Sequence, residues 1–161
     1  MSIAPRPWLT QNAIASNRQL HQPMKRDPRL RTLSSQHHHA LVLSRRLAGF
    51  ESSAHWSAKE AALLGEEFDR EIDPHFRVEE EVLLPGLRQA NQTSLVERTE
   101  ADHAFLRTTV AAARTGDLAA ALSFGERLRA HVRFEEAELF PACEANLPDS
   151  LLEETARRSK A

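Results

Sequence analysis

The chain has one cysteine, no tyrosine and only five glycines in 161 residues. A lone Cys143 cannot close an internal disulfide, so a packed core must hold the fold, and a reducing compartment suits it. Without tyrosine no phenol can store a radical, and only Trp8 and Trp56 remain for such chemistry. The glycines build no phosphate-cradling loop. No apolar run approaches the roughly 18 residues that span a bilayer. Residues 1–20 lack the continuous apolar centre of a secretory signal. A soluble, cytoplasmic protein is the expectation. An excess of one charge is also missing, since 21 basic residues face 23 acidic ones and the two kinds are interspersed. Neither a nucleic-acid surface nor a membrane anchor is expected. The short basic clusters Lys25-Arg26 and Arg157-Arg158 read as solvated ends.

What the chain does have is one eleven-residue stretch carried twice. The copies are His75-Phe-Arg-Val-Glu79-Glu-Glu-Val-Leu-Leu-Pro85 and His131-Val-Arg-Phe-Glu135-Glu-Ala-Glu-Leu-Phe-Pro141, with His, Arg, both Glu, Leu and Pro at the same offsets. Residues four apart share a helix face, so each copy aims an imidazole and a carboxylate at one spot. Such ligands suit iron, manganese or zinc, and no thiolate competes for a softer ion. Each pair also sits on an apolar stripe: Leu64, Phe68 and Ile72 precede the first, Phe124 and Leu128 the second. The ligands should therefore face a core, where an unpartnered carboxylate is strongly disfavoured.

The rest of the pattern is helical, with no strand-like alternation. We expect an irregular N-terminal extension over 1–27, a helical body over 28–146, and a short C-terminal helix and tail over 147–161. Asp27-Pro28 starts the first helix, which runs to about Phe50 with Leu30, Leu33, His37, Leu41, Ser44 and Leu47 inward. Ser57-Ala-Lys-Glu60 has the form of a capping box and opens the second, which is interrupted at Pro74 and ends near Pro85-Gly86. Ser94-Leu-Val-Glu97 opens the third, which runs to Gly116 with Val96, Thr99, His103, Leu106, Val110 and Ala113 inward. Asp117 caps the fourth, and Ser150-Leu-Leu-Glu153 opens the short last one. The expected fold is all-α, an antiparallel up-down-up-down four-helix bundle, whose interior is where such proteins place metals. His37, His75 with Glu79, His103, and His131 with Glu135 would then converge from four helices. These four imidazoles and two carboxylates suffice for two metals if both carboxylates bridge. His38 and His39 fall off the inward face and read as surface residues. Glu80, Glu81, Glu136 and Glu138 read as a solvated acidic flank, and Cys143 as a packing residue.

The order His, His-x-x-x-Glu, His, His-x-x-x-Glu, with Leu-Leu-Pro or Leu-Phe-Pro following, resembles the hemerythrin-like, or HHE cation-binding, domain over about residues 30–146. The resemblance implies a non-haem di-iron centre, oxo- or hydroxo-bridged when oxidised, with His37, His75, Glu79, His103, His131 and Glu135 as ligands. Zinc or manganese are the substitutes. Three positions depart from the oxygen carriers of that family. Arg107 stands where they have a further histidine, and Glu135 lies one residue short of their last carboxylate, whose place Glu136 takes. Gln36 replaces the usual acidic neighbour of the first histidine. These departures weigh against reversible oxygen carriage.

The implied function is binding of O2, NO or peroxide in redox or nitrosative sensing or protection, with output through an unidentified protein partner. The alternatives are a di-iron oxidase or peroxidase, or iron storage and donation for iron-centre repair. No separate acid–base constellation marks a dedicated enzyme. Glu79→Ala or Glu135→Ala is expected to lower metal content, whereas His38→Ala and His39→Ala leave it nearly unchanged. Metal analysis of the purified variants checks this, and full loading of the Glu variants would contradict the assignment.

Overall fold

Prolines punctuate this chain, and its helices are built around them. The computed structural model describes residues 25–53 and 55–160, and all their regular structure is helical. Of the extension expected over 1–27, only residues 25–27 lie within the described part. Asp27 and Pro28 form a turn in which Asp27 Oδ1 accepts from the Arg29 N–H at 2.8 Å. Helix α1 therefore begins at Arg31 rather than Pro28; it spans Arg31–Ala48, and the 3₁₀ segment Gly49–Ser52 follows. Leu33, His37, Ala40, Leu43, Ser44 and Leu47 are its buried residues. Leu41, expected inward, is only half-buried, because the inward face is centred nearer Ala40 and Leu43.

Helix α2 is one continuous run over 58–89. Ser57 caps it by accepting from the Glu60 N–H at 3.4 Å. It comprises Ala58–Glu67, the π segment Phe68–Ile72, Asp73–Val78, a second π segment Glu79–Leu83, and Leu84–Gln89. Each π segment is followed by an α segment with proline in its first two positions, Pro74 and Pro85. A proline inside a helix lacks a donor and its ring pushes on the preceding turn. A widened turn accommodates both. The interruption expected at Pro74 is thus a π segment and a restart. Asp73 meets Arg77 and Arg107 rather than capping the backbone. Pro85-Gly86 does not end the helix, for the same reason.

Helix α3 spans Thr93–Ala113 and starts without a side-chain cap, so the Ser94 capping box does not form. Its predicted stripe is buried throughout, from Val96 to Ala113. Gly116 supplies the left-handed turn, with φ of 99°. Asp117 then caps α4, accepting from the Ala120 N–H at 3.0 Å. Helix α4 runs over 118–146 as Leu118–Phe134, a π segment Glu135–Leu139, and Phe140–Asn146 with Pro141 at its start. Helix α5, Asp149–Arg158, begins directly after Pro148, which leaves Ser150 inside it and capping nothing.

Close backbone approaches join α1 to α4, α4 to α3, and α3 to α2, while α5 lies on the second π segment of α2. Helices α1 and α2 face each other across a cleft of about 680 Å³. Two apolar clusters form the core. One gathers Leu47, Leu64, Phe68, Leu106, Phe124 and Leu128; the other gathers Leu83, Leu87, Val96, Phe134, Leu139 and Phe140. A layer of buried histidine and glutamate separates them. Among the described residues no helix is long and apolar enough to cross a membrane. Asp117→Ala is expected to cost about 1 kcal/mol, as loss of a helix cap does. Ser94→Ala, which removes no cap, should stay within about 0.5 kcal/mol. Urea unfolding of both variants checks the contrast.

Candidate metal centre

Helix spacing and the proline-linked π segments place the polar layer. His75 stands just after Pro74, and Glu79 one turn later opens the second π segment of α2. His131 and Glu135 repeat this on α4, where Glu135 opens the π segment. Helices α1 and α3 add His37 and His103. All six side chains are brought together, and none of the six residues is more than 6% exposed. His38 and His39 stay at the surface, as expected.

The two carboxylates divide their oxygens. Glu79 Oε1 lies 3.2 Å from His75 Nε2, and Oε2 lies 3.3 Å from His103 Nε2. Glu135 Oε2 lies 3.0 Å from His37 Nε2, and Oε1 lies 2.9 Å from His131 Nε2. His37 Nε2 and His75 Nε2 are 3.2 Å apart. Two overlapping groups result, His37 with His75 and His103 with His131, both sharing Glu79 and Glu135, with donor atoms within 4.8 Å of one another. Despite the short distances, all four carboxylate oxygens and the Nε2 atoms of His103 and His131 are buried without hydrogen-bond alignment. Leaving such atoms unpaired in a core is costly. Donors about 2.1 Å from a common ion and at right angles to each other stand roughly 3 Å apart. Spacing, burial and donor type therefore all fit metal ions, and each group could hold one.

On the far side of each imidazole a second atom fixes the ring. Nδ1 of His37 is 2.7 Å from Glu136, that of His75 is 2.8 Å from Gln36, that of His103 is 2.7 Å from Glu80, and that of His131 is 3.4 Å from Asp102. With these acceptors Nδ1 carries the proton, which turns the Nε2 lone pair inward. Arginines hold the acceptors in turn: Arg26 on Glu136, Arg107 on Glu80 and Arg127 on Asp102. Phe76 stacks on His103 with ring centres 3.8 Å apart, and Phe140 stacks on His37 at 5.2 Å.

Several sequence expectations change here. Glu80 and Glu136 are not a solvated flank, because their oxygens are spent on His103 and His37. Their recurrence at one offset in both copies was the available signal, since a solvated flank has no reason to repeat. Arg26 is not a solvated end either; it is clamped by Glu136 and Glu144. Gln36 holds His75 rather than its neighbour His37. Glu135, not Glu136, points both oxygens into the cluster, and Arg107 clasps Glu80 and Asp73. Cys143 is buried, and burial together with Glu79 and Glu135 pushes its thiol up, away from reactivity.

Burial alone would push the imidazoles down, but the facing carboxylates outweigh it. All four are raised, His75 to about 9 and His131 to about 10. Burial would likewise raise Glu80 and Glu136, yet His103 with Arg107, and His37 with Ser34 and Arg26, hold them at about 2. A raised imidazole contributes stability that is complete below about 6.5 and is lost as pH climbs through its folded value. A depressed carboxyl contributes above about 4.3 and loses it as pH falls toward 2. The metal-free protein should therefore be most stable between about pH 5 and 7. Its melting temperature should fall between pH 7 and 10, as His75 and His131 deprotonate. Metal binding displaces those protons, so the loaded protein should lack that alkaline decline. Thermal unfolding with chelator and with metal checks both.

Comparison with known proteins agrees with this geometry. Searches of curated proteins and of solved structures returned no match. The family model of the hemerythrin HHE cation-binding domain matches residues 29–143, which hold all six buried side chains and the four atoms behind their imidazoles. The chain belongs to the hemerythrin HHE cation-binding domain family.

Proposed function

We propose that this chain is a non-haem di-iron protein, an antiparallel up-down-up-down four-helix bundle that binds O2, NO or peroxide in redox or nitrosative sensing or protection. The observation that carries the reading is the division of each buried carboxylate between two histidine pairs. A carboxylate serving one ion has no need to face two imidazole pairs, whereas one bridging two ions must. Two imidazoles and two carboxylate oxygens would offer four donors to each ion, and an ion that takes more would have room for solvent or a small ligand. Bound iron would supply Lewis acidity and reversible electron transfer there.

The protein's own part is to hold and to shield. Glu80, Glu136, Gln36 and Asp102 fix the imidazoles, Phe76 and Phe140 pack against His103 and His37, and the apolar clusters above and below exclude water. The carboxylates of Glu79, Glu80, Asp102, Glu135 and Glu136 outnumber the guanidiniums of Arg26, Arg107 and Arg127 around the site, which favours dications. Ligand can reach the layer through the α1–α2 cleft, whose lining includes His37, His75 and Glu135.

A second reading, a di-iron oxidase or peroxidase, draws on that cleft. Its volume of about 680 Å³ far exceeds the need of a diatomic molecule, and Ala40, Leu43, Ile72 and Val132 give it apolar walls. Against it, the carboxylates that flank the cluster, Glu80, Glu136 and Asp102, already serve histidine and arginine.

The test is to load metal-free protein anaerobically with ferrous iron, count iron per chain, and follow absorption on adding air, NO or peroxide separately. Two irons per chain are expected, with a new charge-transfer band on adding NO that reverses when the gas is removed. Sustained peroxide turnover would favour the enzyme, and one iron or none would overturn the di-iron reading.

A further inference from the structure

The four helices repeat one device twice. Gln36-His37 of α1 with His75, Glu79 and Glu80 of α2 corresponds to Asp102-His103 of α3 with His131, Glu135 and Glu136 of α4. The residue before the first histidine holds the second histidine, and the residue after the shared glutamate holds the first histidine of the other half. Glu80 and Glu136 do this at the same distance, 2.7 Å. The halves differ at one chemical position, a neutral amide at Gln36 against a carboxylate at Asp102.

We infer that the two metal positions are unequal, and that Gln36 makes the His37–His75 position the one that releases its metal first. This rests on the reading of two metals. An imidazole whose Nδ1–H donates to a carboxylate is a stronger donor at Nε2 than one donating to an amide. Asp102 is further from its histidine, 3.4 Å against 2.8 Å for Gln36, and Arg127 stands 2.8 Å from it. Charge still decides the order. Asp102 and His131 have side chains only 7% and 1% exposed, so the field between them is little screened, while Arg127 is 45% exposed and faces water.

Access points the same way, independently. The α1–α2 cleft is lined by Gln36 and by both histidines of the first position, His37 and His75, whereas of the second pair it is lined by His131 but not His103. His103 is fully buried beneath the stacked ring of Phe76. Solvent and chelators therefore meet both imidazoles of the His37–His75 position but only one of the other.

The experiment is chelator-driven release from protein loaded anaerobically with two equivalents of ferrous iron, followed by the colour of the ferrous–chelator complex. The native protein should release one iron about 10-fold faster than the other. Gln36→Glu, which places a carboxylate on His75 in the same shape, should slow the fast phase about 10-fold toward the slow one. A gain in retention is not an effect that structural damage produces. Asp102→Asn should speed the slow phase by a similar factor, and it decides the matter alone if Gln36→Glu does not fold. A single phase in native protein, or two phases that neither substitution moves, overturns the inference and leaves the di-iron reading standing. Uptake of only one iron overturns that reading and this inference with it.

Discussion

Two glutamates with no exposed surface set the terms for the rest of this protein. An ionised carboxylate in an apolar interior is costly unless opposite charge surrounds it. Glu79 and Glu135 nonetheless stay lowered from the ordinary carboxylate value, although burial pushes both up. In the metal-free protein the four facing imidazoles, themselves raised by these carboxylates, achieve this, and dications would achieve it otherwise. The histidines, the acceptors behind them and the arginines behind those are successive shells answering to these two charges. Burying the layer between two apolar clusters keeps the charges effective by keeping water away.

The backbone answers to the same constraint. In α2 and α4 the widened turn that accommodates a proline starts at the glutamate itself, so Glu79 and Glu135 sit where the helix departs from regular spacing. Such local widening is frequent at functional sites, because it re-aims side chains without ending the helix. The adjoining Glu80 and Glu136 can then reach histidines on other helices.

The convergence of the four histidines and two glutamates was legible in the sequence because helical period and apolar stripe are linear signals. A solvated helix face would neither repeat at fixed offsets nor lie on such a stripe. All-helical structure, the Asp117 cap and the Gly116 turn were legible for similar local reasons. The recurrence of Glu80 and Glu136 set them apart from a surface flank, but their partners, like that of Gln36, lie on other helices, and no spacing along the chain names them. The Ser94 and Ser150 capping boxes misled because Ser-x-x-Glu also occurs inside a helix that has already begun. Pro85 misled because a widened turn lets the helix pass through it. Arg26 looked like a loose end only while Glu136 and Glu144, more than a hundred residues on, were out of view.

The hydrogen bonds behind the imidazoles close on themselves. Helix α4 holds the histidine of α1 through Glu136, α1 that of α2 through Gln36, α2 that of α3 through Glu80, and α3 that of α4 through Asp102. The four links form a hoop around the polar layer, and the Gln36 link spans the cleft where the backbones stand apart. A closed hoop has a mechanical property that a row of links lacks: cutting one leaves all four helices still joined in a line, and only a second cut divides them. Substitutions in two of its links should therefore cost more together than the sum of each alone, although the residues involved need not touch.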